Sequence, residues 1–468
     1  MDPTQDIRRD LARSIIKEPL YSLTQDPARS AQAISILIEP NQDHHLGAAA
    51  AASLLGTIPT HPIGSRFLAA TLQPANILDL VESDYRQAQS LRANEAHPLT
   101  RYLTIRRIWL DHPIRPQIDK SIGTIKADAA RRAFLADGAN IVWAVIDSGI
   151  DAAHLHFKDH RNLELDAPLA HEDFTGANNP LTDVFGHGTH VAGIIAGAAS
   201  ASITARRTCL AATGEIESFT EPLARIEGIA PAAKLVSLKV LDDNGKGSVS
   251  AIIAALDRIH VLNDYGRNIR IQGVNLSVGY EFDPAWFACG QSPVCAEVDR
   301  LVRSGVIVVT AAGNTGYGTL AANERPTGAG MMATINDPGN ASLAITVGST
   351  HRDAPHTYGV SYFSSKGPTG DGRRKPDLVA PGERILSCCS TANAPDHAPG
   401  VYIEESGTSM AAPHVSGAIA AFLSIRREYI GNPAGIKELF LSTATDLGRD
   451  PHFQGRGLID LMRAIQAV

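Results

Sequence analysis

The chain has 468 residues, 44% of them hydrophobic, and a formal net charge of −7 from 42 Lys and Arg against 49 Asp and Glu. That length suits one large domain plus a smaller one, with apolar residues enough for a sizeable core. The mild acidic balance excludes the basic footprint of a nucleic-acid binder and the basic amphipathic face of a membrane-surface protein.

The first ten residues mix charges of both signs, and no apolar stretch follows them. The alanine-rich run at 46–55 is too short to span a bilayer. The reading therefore expects a cytoplasmic protein with no membrane or nucleic-acid partner. The next pattern predicts a helix over 5–17, a strand over 33–38 and a helix over 43–55. A strand over 66–72, a helix over 74–84 and a strand over 102–109 follow, with an extra short strand near 58–61. Together these make a small α+β domain over residues 1–118. Residues 111–119, with Pro113 and Pro116, read as a linker.

From about residue 140 continuous apolar runs recur at 141–146, 234–241, 271–278, 306–310 and 343–347. Such runs suit strands buried on both faces of a parallel sheet. Helical patterns lie between and after them at 187–196, 248–262, 296–303 and 409–428. The alternation predicts a doubly wound, mostly parallel α/β domain over 119–468, with its site at the carboxyl ends of strands. The five cysteines are odd in number and sparse, so the expectation is free thiols rather than a disulfide framework, a Cys289–Cys295 loop bridge being the alternative. No His/Cys pattern suggests zinc, so the expected metal set is none.

Ser409 stands in Gly407-Thr408-Ser409-Met410-Ala411-Ala412-Pro413-His414, with a long helical pattern behind it. At a helix N-terminus its hydroxyl is accessible and its backbone N–H is able to face a developing oxyanion. Pro413 is read as lying in the first turn. Taken alone, Ser409 is more simply an N-cap serine. His187 opens another helix in Gly186-His187-Gly188-Thr189-His190, where it suits a general base. His190, one turn on, is expected to face away, and His414 to serve packing. Asp147 ends the run 142–146, where a carboxylate needs a partner or a turn. Asn314 follows the strand ending at 310, placed to donate to an oxyanion or to make a turn. Each signal is weak alone, and the set is strong.

The segments Val145-Ile146-Asp147-Ser148-Gly149, His187-Gly188-Thr189-His190-Val191-Ala192-Gly193, Gly228-Ile229-Ala230-Pro231, Ala311-Ala312-Gly313-Asn314 and Gly407-Thr408-Ser409-Met410-Ala411, in this order, resemble the catalytic domain of the subtilisin-like serine peptidases. The resemblance implies hydrolysis of peptide bonds through an acyl-enzyme on Ser409, with His187 as base and then acid, Asp147 orienting it and Asn314 as oxyanion donor. It implies a protein or peptide substrate held as an extended strand between Gly245-Lys246-Gly247 and Ser277-Val278-Gly279. Ala311, Ala312 and Gly313 would line the main specificity pocket with the stretch around Asp337. Asp337 itself is read as a solvent-facing turn residue rather than a selector of basic side chains. No cofactor is required; calcium loops occur in the family, but no EF-hand-like spacing appears here.

Residues 1–118 resemble, by pattern only, the inhibitory propeptide of that family, which implies a zymogen whose N-terminal domain is its own inhibitor and whose cut lies between about 111 and 123. Two long insertions, 198–227 and 316–331, depart from the family pattern. The missing leader implies processing of a narrow set of intracellular proteins. Two rival readings stay open: a binding module that has lost catalysis, and an enzyme released only when a partner displaces residues 1–120.

Overall fold

A computed structural model describes residues 12–17, 20–25, 32–46, 60–63, 66–92, 98–111, 113–116, 124–201, 203–210, 216–223, 225–282, 288–322 and 325–468. The chain divides into two compact units: residues 1–113 with 248–254 and 283–287, and the remainder.

In the first unit, four strands lie in the order His61–Ile63, Phe67–Leu72, Ile34–Pro40, Ile105–Leu110, every neighbour antiparallel. The helix Pro74–Arg92 buries Ile77, Val81 and Ala88, and Ile77 and Val81 pack with Ile36, Ile38, Leu68 and Ile108. It runs eight residues past the predicted end at 84 because 85–92 contain no breaker. Asp84 is buried and accepts from the Thr104 hydroxyl and from the N–H groups of Thr104, at 2.9 Å, and Ile105, at 3.1 Å, which fastens the helix to the last strand. Of the predicted opening helix, 12–15 are helical, Ile16 instead bridges to Ile108 and ends it, and residues 5–11 lie outside the described residues. So does most of the alanine-rich helix. The extra short strand falls at His61–Ile63. Also within this unit, Asp111 accepts from Ser250 N at 3.0 Å and from Ser250 Oγ at 2.7 Å.

The second unit is built on a parallel sheet of seven strands. Their order is Leu378–Pro381, Ile345–Thr350, Ile307–Ala311, Gly273–Leu276, Val142–Asp147, Lys234–Lys239, Glu172–Asp173. The chain starts at Val142–Asp147, lays down the edge strand Glu172–Asp173, fills the place between them with Lys234–Lys239, and then builds outward on the other side. The carboxyl ends of Val142–Asp147 and Gly273–Leu276 therefore flank the crevice where the winding reverses. Gly273 is required there: a Cβ on it would lie 2.2 Å from the ring of Trp143, its partner in the parallel register. The eighteen-residue helix Thr408–Ile425, apolar and buried from Thr408 to Leu423, forms the centre of the core.

Two expectations are corrected. Residues 113–116 are no open linker but a strand, the middle one of a three-stranded sheet between Gly247–Ser248 and Val278–Gly279. Val278 stands opposite Pro116 and Gly279 opposite Arg115, antiparallel. The prolines fix φ near the extended region and keep their carbonyls as acceptors, so they do not prevent pairing. Pro413 lies beyond the first helical turn, as the sixth residue of the helix that starts at Thr408. The insertions 198–227 and 316–331 carry hairpins, Ile203–Leu210 with Ile216–Leu223 and Tyr317–Ala322 with Arg325–Gly330. Cys289, Cys295, Cys388 and Cys389 are free and buried.

Candidate active site

Asp147 is the last residue of its strand and His187 the first of its helix. Gly188 is what brings the two together. A Cβ there would lie 2.2 Å from the Gly149 carbonyl oxygen and 3.1 Å from Asp147 Cβ. With glycine the helix closes onto the strand end, and His187 Nδ1 lies 2.7 Å from Asp147 Oδ1, both side chains 1% exposed. Asp147 Oδ1 also accepts the Ser148 N–H at 2.8 Å. A carboxylate held this way fixes the imidazole so that Nδ1 carries the proton and Nε2 is the basic nitrogen.

Ser409 is the second residue of the core helix, so its N–H has no acceptor within the helix. Its Oγ donates to the Ser277 carbonyl at 3.2 Å. Pro413 has no N–H to offer the carbonyl four residues before it, which is that of Ser409, and the Ser277 hydroxyl donates to that carbonyl at 3.0 Å instead. The serine helix is thereby tied to the segment holding Val278–Gly279. Asn314 Oδ1 accepts from Thr408 N at 2.9 Å and Thr408 Oγ1 at 3.1 Å. Its carbonyl end is thus anchored one residue before Ser409. The Thr408 hydroxyl accepts in turn from Gly313 N at 3.1 Å.

Of the expected substrate-binding residues, Gly247, Val278 and Gly279 lie in the two strands that flank Pro113–Pro116, and Ser277 adjoins them. Gly245 and Lys246 sit in the turn that leads into the first: Gly245 N donates to Asp242 O at 2.9 Å and Asp242 N to Lys246 O at 2.7 Å. Ala311 ends the strand Ile307–Ala311, and Ala312 and Gly313 follow it directly. Gly313 has φ +115°, and a Cβ would lie 2.6 Å from Ser365 Oγ.

Asp337 is not a solvent-facing turn residue. It is fully buried, bonded to Asn340 Nδ2 at 2.8 Å, with its backbone paired to Tyr280. Burial pushes its carboxyl up from the ordinary range, while Ser292, Asn340, Cys295 and Tyr280 donate to it. His190 Nε2 lies 3.2 Å from Ile385 O, and His414 Nδ1 lies 2.7 Å from Met410 O.

Sequence reasoning missed Asp183. Buried, it accepts from Ser148 Oγ at 2.9 Å, Gly186 N at 2.7 Å, Thr189 N at 2.8 Å and Thr189 Oγ1 at 2.7 Å. It therefore links the residue after Asp147 to the first turn of the His187 helix. Burial pushes its carboxyl up, with the Thr189 hydroxyl opposing first. An Asp four residues before a helix that has Thr in its first turn was the available signal. Among the described residues no group of three or more His, Cys, Asp or Glu converges as a metal site.

With this geometry in place, comparison with known proteins is specific. The profile of the subtilase family matches residues 138–457. The chain is similar to subtilisin E of Bacillus subtilis (strain 168), 31% identical over 355 residues, covering 76% of this chain and 73% of that one. It is similar to serine protease AprX of the same organism, 27% identical over 378 residues, covering 77% and 74%. Pyrolysin of Pyrococcus furiosus is 32% identical over 325 residues, 60% of this chain and 21% of its own. A seven-stranded parallel sheet, an aspartate–histidine pair at its carboxyl edge and a serine heading the core helix agree with that match, and the chain belongs to the subtilase family of serine peptidases.

Proposed function

We propose that the chain is an endopeptidase made as a zymogen, with Ser409 as nucleophile and its own N-terminal region as inhibitor. The observation that carries this is the strand Pro113–Pro116, which occupies the place between Gly247–Ser248 and Val278–Gly279 that an extended substrate would take. The burial of Ser409 and His187, 0% and 2% exposed, supports the same reading.

In the proposed reaction the Ser409 hydroxyl attacks the scissile carbonyl carbon and His187 Nε2 takes its proton. Negative charge moves to the carbonyl oxygen, which the Ser409 N–H and the Asn314 side-chain amide stabilise. Collapse of that intermediate expels the amine, protonated by His187. Water, deprotonated by the same nitrogen, then cleaves the acyl-enzyme. Asp147 holds the ring throughout and stays ionised.

The test is the intact mass of purified wild type and Ser409→Ala, with and without a fluorophosphonate. The expected wild type loses an N-terminal piece cut C-terminal to Pro116, within 117–123, and takes up one probe, while Ser409→Ala stays whole and unlabelled. Labelling of both proteins would place the nucleophile elsewhere. Wild type that remains whole and unlabelled would overturn self-processing.

A further inference from the structure

Away from the catalytic groups, Arg374, Pro376, Asp377, Leu441 and Arg456 line a cavity of about 380 Å³ in the second unit. Its charges do not balance. Asp377 is the one acid among the lining residues, and two lysines already engage it: Lys375 Nζ lies 2.6 Å from Oδ2 and Lys437 Nζ 3.1 Å from Oδ1. Oδ2 also accepts the Thr346 N–H at 2.8 Å. The acid is thus outnumbered before the arginines are counted. Arg374 and Arg456 are exposed, and neither guanidinium has an ion pair or hydrogen bond among the described residues.

A single exposed arginine needs no partner beyond water. Two that line one concave surface are different. Both add positive potential to the same concave surface. In a chain with a net charge of −7, this concentrates positive charge at one concave point. Each guanidinium offers a planar fork of N–H donors that matches two oxygens of one oxyanion. The volume exceeds that of a bare tetrahedral anion, which leaves space for a small group esterified to it.

We propose that this cavity binds a tetrahedral oxyanion of the phosphate class, gripped by Arg374 and Arg456. The inference stands apart from the catalytic reading, because none of these residues belongs to the site of Ser409.

The experiment uses the full chain carrying Ser409→Ala, which prevents self-digestion and leaves the cavity unchanged. Inorganic phosphate is titrated at constant ionic strength with KCl, followed by thermal unfolding and by calorimetry. The expected result is saturable stabilisation by phosphate with a millimolar or tighter midpoint. The double variant Arg374→Gln/Arg456→Gln should keep its Tm in KCl and bind phosphate at least tenfold more weakly. Glycerol phosphate binding as tightly as inorganic phosphate would assign a phosphoester ligand, and binding of inorganic phosphate alone a free anion; either supports the site. Equal stabilisation of parent and double variant, or no more effect from phosphate than from acetate, overturns it.

Discussion

At the scale of single residues, the oxyanion role of Asn314 gives the sharpest prediction. Its carbonyl end is anchored on Thr408, so Asn314→Ala removes the proposed donor while leaving the hydrogen bond between Thr408 Oγ1 and Gly313 N to hold the loop. The expected outcome is a fall in kcat of roughly 100- to 1000-fold with KM little changed, a magnitude known from subtilisin and borrowed for this relative. Steady-state kinetics on a peptide substrate check it. Asp183→Asn tests the missed carboxylate. An amide cannot accept on both arms, so donors from Thr189 or from Gly186 and Ser148 are left facing its NH2 group. Stranding a buried donor costs about 1–3 kcal/mol. The expected variant unfolds at lower temperature and loses kcat more than KM, as His187 loses its fixed position. Unchanged kcat in a destabilised protein would make Asp183 purely structural. Asp147, His187, Asn314 and Ser409 were legible from sequence because each stands where an apolar strand ends or a helix begins. Asp183 was not, nor was the bond from the Ser277 hydroxyl to the Ser409 carbonyl, because these arise from contacts between residues apart in the chain: Ser277 and Ser409 are 132 positions apart.

At the scale of elements, the approach of the histidine helix to the aspartate strand rests on the missing side chain of Gly188. Gly188→Ala would drive a methyl group into the Gly149 carbonyl, a backbone atom unable to rotate away. The helix must then shift, which stretches the His187–Asp147 pair. The expected outcome is a loss of about 1–3 kcal/mol, typical of overpacking, together with a larger fractional loss of activity than Gly330→Ala, where a Cβ meets nothing within 4 Å and φ is not positive. Chemical unfolding and a peptide assay on both variants decide it. The five buried strands and the main helices were readable because their apolar runs carry the pattern locally. The insertion hairpins were not. The strand Ile203–Leu210 owes its place to pairing with Val401–Glu405, nearly two hundred residues on, and to Arg207 reaching Glu404 at 2.8 Å. The strand Pro113–Pro116 escaped notice for a related reason, since proline reads as punctuation until a partner on either side makes it a strand.

At the scale of the whole molecule, the protonation of buried histidines sets an acid limit. Burial pushes His156 and His414 down to about 3. Both rings are neutral in the folded protein at any pH well above 3, whereas in the unfolded chain they gain protons below about 6.5. The unfolded state therefore binds more protons between those limits, so stability falls as pH falls through that window, by at most about 1.4 kcal/mol per pH unit for each ring. Urea unfolding of Ser409→Ala at pH 7.5 and 5.0 should show the loss. His156→Gln, which keeps polar reach toward Tyr402 Oη but does not titrate, should make the dependence shallower. A slope unchanged by that substitution would assign the acid sensitivity to other groups.

The strand Pro113–Pro116 has a consequence for timing. An inhibitor joined to its enzyme by the same chain acts at a fixed effective concentration, independent of how much protein is present. Cutting the chain after that strand breaks the tether without breaking the main-chain pairing with Val278 and Gly279. The cut would turn a first-order restraint into an ordinary dissociation equilibrium. On the proposed reading, activity appears when the severed piece is diluted or destroyed rather than when the bond is broken. A processed sample should therefore gain specific activity on dilution, with a lag that shortens as traces of mature enzyme are added.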